Sequence, residues 1–163
     1  MKLEISIVSV KPEELALLCE LDVTIFGSDA FDSPEDWEDD LRTYFILADS
    51  RIVGSLALRH DTEVGGHYTT DYLVRPGSLY IVSIGIVPRF QKCGIGTRVM
   101  QWIVDYGHQQ KFHRIVSNAR SSNYPSTKLH TKCGFKVTRL IPEWYEDPTE
   151  DAAVLELELK NAS

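Results

Sequence analysis

Three cysteines in 163 residues are too few for a disulfide scaffold. Cys19, Cys93 and Cys133 cannot all pair with one another, and no C-x-x-C knuckle offers metal ligands, so reduced thiols in a cytoplasmic protein are the expectation. Long apolar runs are missing too. None approaches the ~18–20 residues that cross a bilayer, and the opening "MKLEISIVSV" alternates as a strand does, with no signal-peptide or lipidation pattern. Positive charge is in deficit, with 17 Lys and Arg against 24 Asp and Glu, for a net −7. Nucleic-acid binding needs Lys and Arg to displace phosphate counterions, so nucleic acid is excluded as a partner, and the missing apolar runs exclude the membrane. Linkers, repeats and low-complexity tracts are also absent. What remains is a single domain over residues 1–163, long enough to bury its own core.

The periodicities supply the elements. "LEISIVS" (3–9) alternates as a strand, and "KPEELALLCELDV" (11–23) starts a helix with Pro12 and two acids, its Leu15, Leu18 and Cys19 on one face. "SPEDWEDDL" predicts a second helix, with Ser33 as N-cap, Pro34 at the first position and Asp36 as the capping acid, so that Trp37 and Leu41 face the core. "YFILA" and "RIVGSLALRH" read as a hairpin turning at Asp49-Ser50. Residues 61–77 read as a long loop, and "LYIVSIGIV" (79–87) as a central strand covered on both faces. Ile95, Val99, Trp102, Ile103 and Tyr106 follow helical spacing. A strand at 113–118, a short helix at 124–133 stopped by Gly134, and strands at 135–140 and 152–160 complete an α/β order around a mixed sheet.

The turn "RFQKCGIGTRVM" (89–100) lies between strand and helix. It is not a P-loop, because no Lys-Ser or Lys-Thr follows either glycine, and Val99 breaks the dinucleotide pattern G-x-G-x-x-G. Its physics still suits an anion: glycines let successive N–H groups point one way, and the helix start adds about half a positive charge. Glycines for close packing at a helix start are the alternative on the turn alone.

"IGIVPRFQKCGIGTRVM" resembles the signature of the GNAT N-acetyltransferases, with Ile86 and Pro88 in the V-x-P positions and Gln91 to Gly96 filling [QR]-x-x-G-x-[GA]. "NYPSTKLHTKCGF" (123–135) is similar to that family's N-x-x-A-x-x-L-Y-x-K-x-G-F, with Asn123, Leu129, Lys132, Gly134 and Phe135 in register. The C-terminal half, through Trp144, Tyr145, Glu150, Asp151 and Ala152, resembles the ribosomal-protein-alanine N-acetyltransferases. The resemblance implies a single-domain GNAT-like fold: a mixed, mostly antiparallel central sheet splayed at a bulge at Gly85 and flanked by about four helices. It implies acetyl-CoA as cosubstrate and no metal. The pyrophosphate would lie on Lys92, Gly94, Gly96 and Thr97 with Gln91, Ile86 would polarise the thioester carbonyl, and Asn123 would contact the pantetheine or the adenosine side. The scaffold allows a homodimer.

Transfer to an amine needs a proton removed, because an alkyl ammonium outnumbers the free amine about a thousandfold at neutral pH. A proton must also reach the thiolate. The family's Tyr acid falls at His130 and the subgroup's Glu base at Asn118. The expected roles are therefore His130 as acid and Asn118 with Ser83 as holders of an ordered water. His60, Asp61, Glu63 and His67 are weaker candidates for a relay, while Tyr68, Tyr72 and Tyr145 are candidates for lining an acceptor pocket. The seven acids of "DAFDSPEDWEDD" (29–40) either attract a cationic acceptor or form a solvated face, and the second is favoured. The expected activity is acetyl transfer to a primary amine, either a small polyamine or amino-sugar or a peptide N-terminus. The rival is a non-catalytic acyl-CoA-binding sensor or partner-binding module.

Overall fold

The computed structural model describes residues 2–37, 41–61 and 76–159. In chain order the elements are β1 (Ile5–Ser9), α1 (Leu15–Phe26), β2 (Arg42–Ala48), β3 (Arg51–His60), β4 (Ser78–Ile86), α2 (Ile95–Gln109), β5 (Arg114–Arg120), α3 (Tyr124–Lys132), β6 (Lys136–Tyr145) and β7 (Glu150–Glu158). The strands form one seven-stranded sheet in the order β1-β2-β3-β4-β5-β7-β6. β4 and β5 are parallel, joined through α2, and the β1/β2, β2/β3, β5/β7 and β6/β7 pairs are antiparallel. The chain divides into two compact units, one built from residues 1–58 and 83–99 and the other from 59–82 and 100–163.

In the first unit α1 follows a 3-10 turn over Pro12–Glu14, where the Glu14 carboxylate accepts the Lys11 N–H at 2.9 Å. The helix buries Leu18, Cys19 and Asp22 and ends at Gly27, whose φ of 58° reverses the chain. The second predicted helix is not an α-helix across its described residues. Pro34–Asp36 form one 3-10 turn, and Trp37 is already extended at φ −90°, ψ 94°. The acids that favour a helix start instead close the turn on Ser33: Asp36 accepts its N–H at 3.2 Å and Glu35 its hydroxyl. Burial of Trp37 against Phe31, ring centroids 4.9 Å apart, then draws the chain out of helical geometry. The hairpin turns where expected, with Asp49 and Ser50 both left-handed at φ 47° and 68°, which matches the twist of its strands.

In the second unit β4 pairs with β5 from Ser78↔Arg114 to Ile81↔Ser117. Side chains alternate across a strand, so Tyr80 and Val116 share one face, where they pack with Val154, Val82 and Ile141. Ile81 and Ser117 belong to the opposite face, to which α3 brings His130. Three α-helices stand among the described residues, with 3-10 turns where a fourth was expected. The expected loop over 61–77 lies outside the described residues except for Asp61, Pro76 and Gly77.

Candidate active site

The glycine turn is built by backbone geometry. Pro88–Phe90 make a 3-10 turn, Gln91 is extended, Lys92 and Gly94 are left-handed at φ 63° and 79°, and α2 begins at Ile95. Alternation of left- and right-handed residues aims consecutive N–H groups toward one point. Among the described residues, nothing accepts from the backbone N–H groups of residues 92–97, whereas Arg98 N–H already bonds Gly94 C=O at 3.3 Å. A Cβ added at Gly94 would meet nothing within 4 Å. The result is a row of unused donors at a helix start, with open space over Gly94, a combination suited to a phosphate group. The Gln91 side chain folds back to donate to Ile86 C=O at 2.9 Å, which ties the end of β4 to the turn. Lys92 is exposed, and Gly96 and Thr97 are half-buried.

Gly85 has a different reason to be glycine. Its φ is ordinary, but a Cβ there would stand 2.6 Å from both Ile25 Cγ2 and Phe26 Cζ, so α1 lies directly on this stretch of β4. A Cβ on Gly54 would in turn fall 2.3 Å from Gly85 O. Register irregularities are recorded at Ile46/Leu47 between β2 and β3 and within β6/β7. Ser83, on the same strand, has a shielded hydroxyl with no partner among the described residues.

Asn118 and Ser117, the strand partner of His130, leave opposite faces of the sheet, because they are consecutive in β5. Asn118 lies in a polar chain: Tyr80 Oη donates to its Oδ1, and its Nδ2 donates to Tyr145 Oη at 2.8 Å. Burial, reinforced by Tyr145 and opposed by the Arg59 guanidinium, raises the Tyr80 pKa, so this hydroxyl keeps its proton. Tyr145 lies against the Arg120 guanidinium, 4.7 Å from its ring centroid.

His130 is 1% exposed, at the end of α3. Its Nδ1 is 2.7 Å from Ser126 O and its Nε2 2.9 Å from Ser117 Oγ. A carbonyl can only accept, so the ring proton lies on Nδ1 and Nε2 accepts from the serine. Desolvation lowers the His130 pKa against a smaller opposing effect of the Ser126 carbonyl. This geometry does not suit the acid role expected of His130, because a neutral ring with both nitrogens engaged offers no proton to a leaving thiolate. Asn123 is likewise committed in part, since its Oδ1 caps α3 by accepting Ser126 N–H at 3.2 Å.

Sequence reasoning passed over Tyr80, whose only signal is a phenol inside an apolar run, and Asp22, a carboxylate buried on the inward face of α1. Asp22 Oδ2 accepts Phe31 N–H at 2.8 Å, and desolvation pushes its pKa up to about 6. His60 bonds Tyr106 Oη at 2.7 Å and packs edge-on against Phe112. Asp61 accepts Gly77 N–H at 2.6 Å. Glu63, His67, Tyr68 and Tyr72 lie outside the described residues.

The turn, the α3 block and this sheet order define the acetyltransferase (GNAT) family, whose model matches residues 14–135, and the chain belongs to that family. Among its relatives, an N-alpha-acetyltransferase of Sulfolobus acidocaldarius is 32% identical over 84 residues, covering 51% of this chain and 48% of the relative. An N-alpha-acetyltransferase of Sulfurisphaera tokodaii is 27% identical over 108 residues, 66% of this chain and 63% of the relative. The matches thus span about half to two thirds of those relatives' lengths. The solved ribosomal-protein-S18-alanine N-acetyltransferase of Escherichia coli shares the fold at a TM-score of 0.77 and 14% identity, over 98% of this chain and 97% of that one.

Proposed function

We propose that this chain is an acetyl-CoA-dependent N-acetyltransferase whose acceptor is the α-amine of a polypeptide. The row of unpartnered N–H groups from Lys92 to Thr97 carries the cofactor half of this reading. The two N-alpha-acetyltransferase relatives favour the peptide acceptor over a small amine. Acetyl-CoA supplies an activated thioester with a pyrophosphate handle. The amides of Lys92, Gly94, Gly96 and Thr97 hold that handle, and Gln91 and Ile86 join strand to loop; in the second unit, among the described residues, the amide hydrogens of Asn123 are without a partner, which leaves open its expected contact to the cofactor.

The acceptor amine must lose a proton before or as it attacks, and Tyr80, Asn118 and Tyr145 form the polar group suited to orient the water that takes it. The Asn118 amide holds the two hydroxyls in a fixed donor order, and the expected share of Ser83 in holding that water is dropped, because alternation along β4 sends Ser83 to the face opposite Tyr80. His130 acts as a positioning residue, joining α3 to β5 through Ser117, and the thiol takes its proton through water.

The test is acetyl-CoA consumption against short peptides of varied N-terminus and, separately, against polyamines and aminoglycosides. Turnover with peptides alone supports the proposal, and turnover confined to small amines sinks its acceptor half. A second reading, a non-catalytic acyl-CoA-binding module, is favoured by one observation: neither Asn118 nor the closed His130 can accept or donate the proton directly. Cofactor binding without consumption in either pool would select it.

A further inference from the structure

The acidic segment after α1 takes no part in the glycine turn or in the polar chain of Asn118, yet it borders a groove of its own. One wall is the α1 face carrying Ala16, Cys19, Glu20 and Val23, and the other is Asp32 and Pro34. The cavity is about 410 Å³ and open along its length, since only Cys19 among these six residues is buried. Both walls are held. The first is a regular helix, and the second is pinned to it where the buried Asp22 accepts the Phe31 N–H, with Phe31 against the buried Trp37.

The lining is apolar apart from two carboxylates. Val23 is 45% exposed, so its side chain is open to a ligand along the trough. Among the described residues no Lys, Arg or His lines the groove, and nothing bonds the carboxylates of Glu20 and Asp32. Their neighbours differ: Glu14, Glu35 and Asp36 are all turned onto local N–H or hydroxyl groups. An apolar trough between two unpaired carboxylates complements a group with an alkyl stem and a cationic head. One exposed ion pair contributes only about 0–1 kcal/mol, so a free monocation would not be retained, and a side chain carried by a longer segment gains further contacts.

We propose that this groove docks a lysine or arginine side chain of a polypeptide partner, its stem over Ala16, Val23 and Pro34 and its head between Glu20 and Asp32. The groove shares no residue with the proposed cofactor loop or polar chain, so the inference stands apart from the acetyl-transfer reading.

Fluorescence anisotropy with labelled, N-terminally blocked lysine-bearing peptides, and with counterparts carrying glutamine in place of lysine, tests it. Blocking the N-terminus removes α-amine acetyl transfer from the readout. The full chain should bind the lysine peptide about tenfold more tightly than the glutamine one, a difference of ~1.4 kcal/mol. Glu20→Gln with Asp32→Asn should erase that preference. Val23→Lys, which puts an ammonium of the chain's own into the trough, should erase it too. A control that removes two other exposed acids, Glu13→Gln with Glu146→Gln, should keep most of it. Equal binding by the Glu20/Asp32 variant and the unaltered chain would overturn the proposal. So would an equal loss in the control, which would mean general attraction to a negative protein, or spermidine binding as tightly as the peptide, which would mean a small polycation site.

Discussion

Gly94 and Gly85 stand nine positions apart in this chain and are glycine for opposite reasons. Gly94 has a left-handed φ of 79° and empty space where a side chain would go, whereas Gly85 has an ordinary φ and no space at all. The first glycine leaves the surface of the turn open, and the second lets α1 lie against β4. The same contrast separates their surroundings. Around Gly94 the backbone donors have no partner among the described residues, while both ring nitrogens of His130 have one. Open donors indicate binding, and closed ones indicate architecture.

The sharpest break in this comparison is Gly94→Val. It should lower acetyl-CoA affinity at least ~10²-fold by filling the space over the amides, while destabilising the fold by only about 1–2 kcal/mol for a side chain at positive φ. Calorimetric titration beside a urea melt separates the two effects, and unchanged affinity would remove the phosphate role of the turn. His130→Ala should show the reverse pattern. Losing a buried ring and orphaning Ser117 should cost about 2–5 kcal/mol of stability, with kcat of the folded enzyme changing less than tenfold. A fall of about 10²–10⁴ in kcat with the fold intact would restore His130 as the acid.

Two buried titratable groups sharpen the contrast further, because their signs differ. Asp22 has its pKa raised to about 6, so its contribution to stability is fully present below the unfolded carboxylate value and lost as pH rises through about 6. Asp22→Asn keeps an acceptor for Phe31 N–H and removes the buried charge. It should therefore stabilise the protein at pH 7 by about 1–3 kcal/mol and flatten that slope in melts taken across the acid range. His130, whose pKa is lowered by burial, acts oppositely: stability should fall as pH drops below the ordinary imidazole value, and this limb should vanish in His130→Ala. On cofactor binding the smallest effect is expected of Gly85→Ala. Overpacking against Ile25 and Phe26 should cost about 1–3 kcal/mol, with cofactor affinity unchanged once the fold is restored at lower temperature.

Much of this was readable from residue order. The hairpin at Asp49-Ser50, the strand to Ile86, the helix from Ile95 and the Gly134 stop all depend on local preferences, and each stands within a residue or two of its expected place. The helix expected from Ser33 was misread because its capping acids satisfy one turn as well as they satisfy a helix. The burial of Trp37 then decided between the two. The candidate polar residues were legible as residue types and not as an assembly. Asn118 and His130 align with two motifs, but alternation along β5 sends Asn118 to the face of Tyr80 and Tyr145, and Ser117 to the face of His130.

By itself the sequence determined what depends on short spans of backbone: the element order, the left-handed turns and the donor-rich loop before α2. These follow from local sterics and from hydrogen bonds between near neighbours. Only the tertiary structure decided which polar side chains are used up. Whether the proton of His130 is available, whether Asp22 bears a charge at neutral pH, and whether Glu20 and Asp32 face a partner all depend on atoms brought close by the sheet and the α1 fold-back. Desolvation and hydrogen-bond saturation are set by three-dimensional neighbours, and no local pattern encodes them.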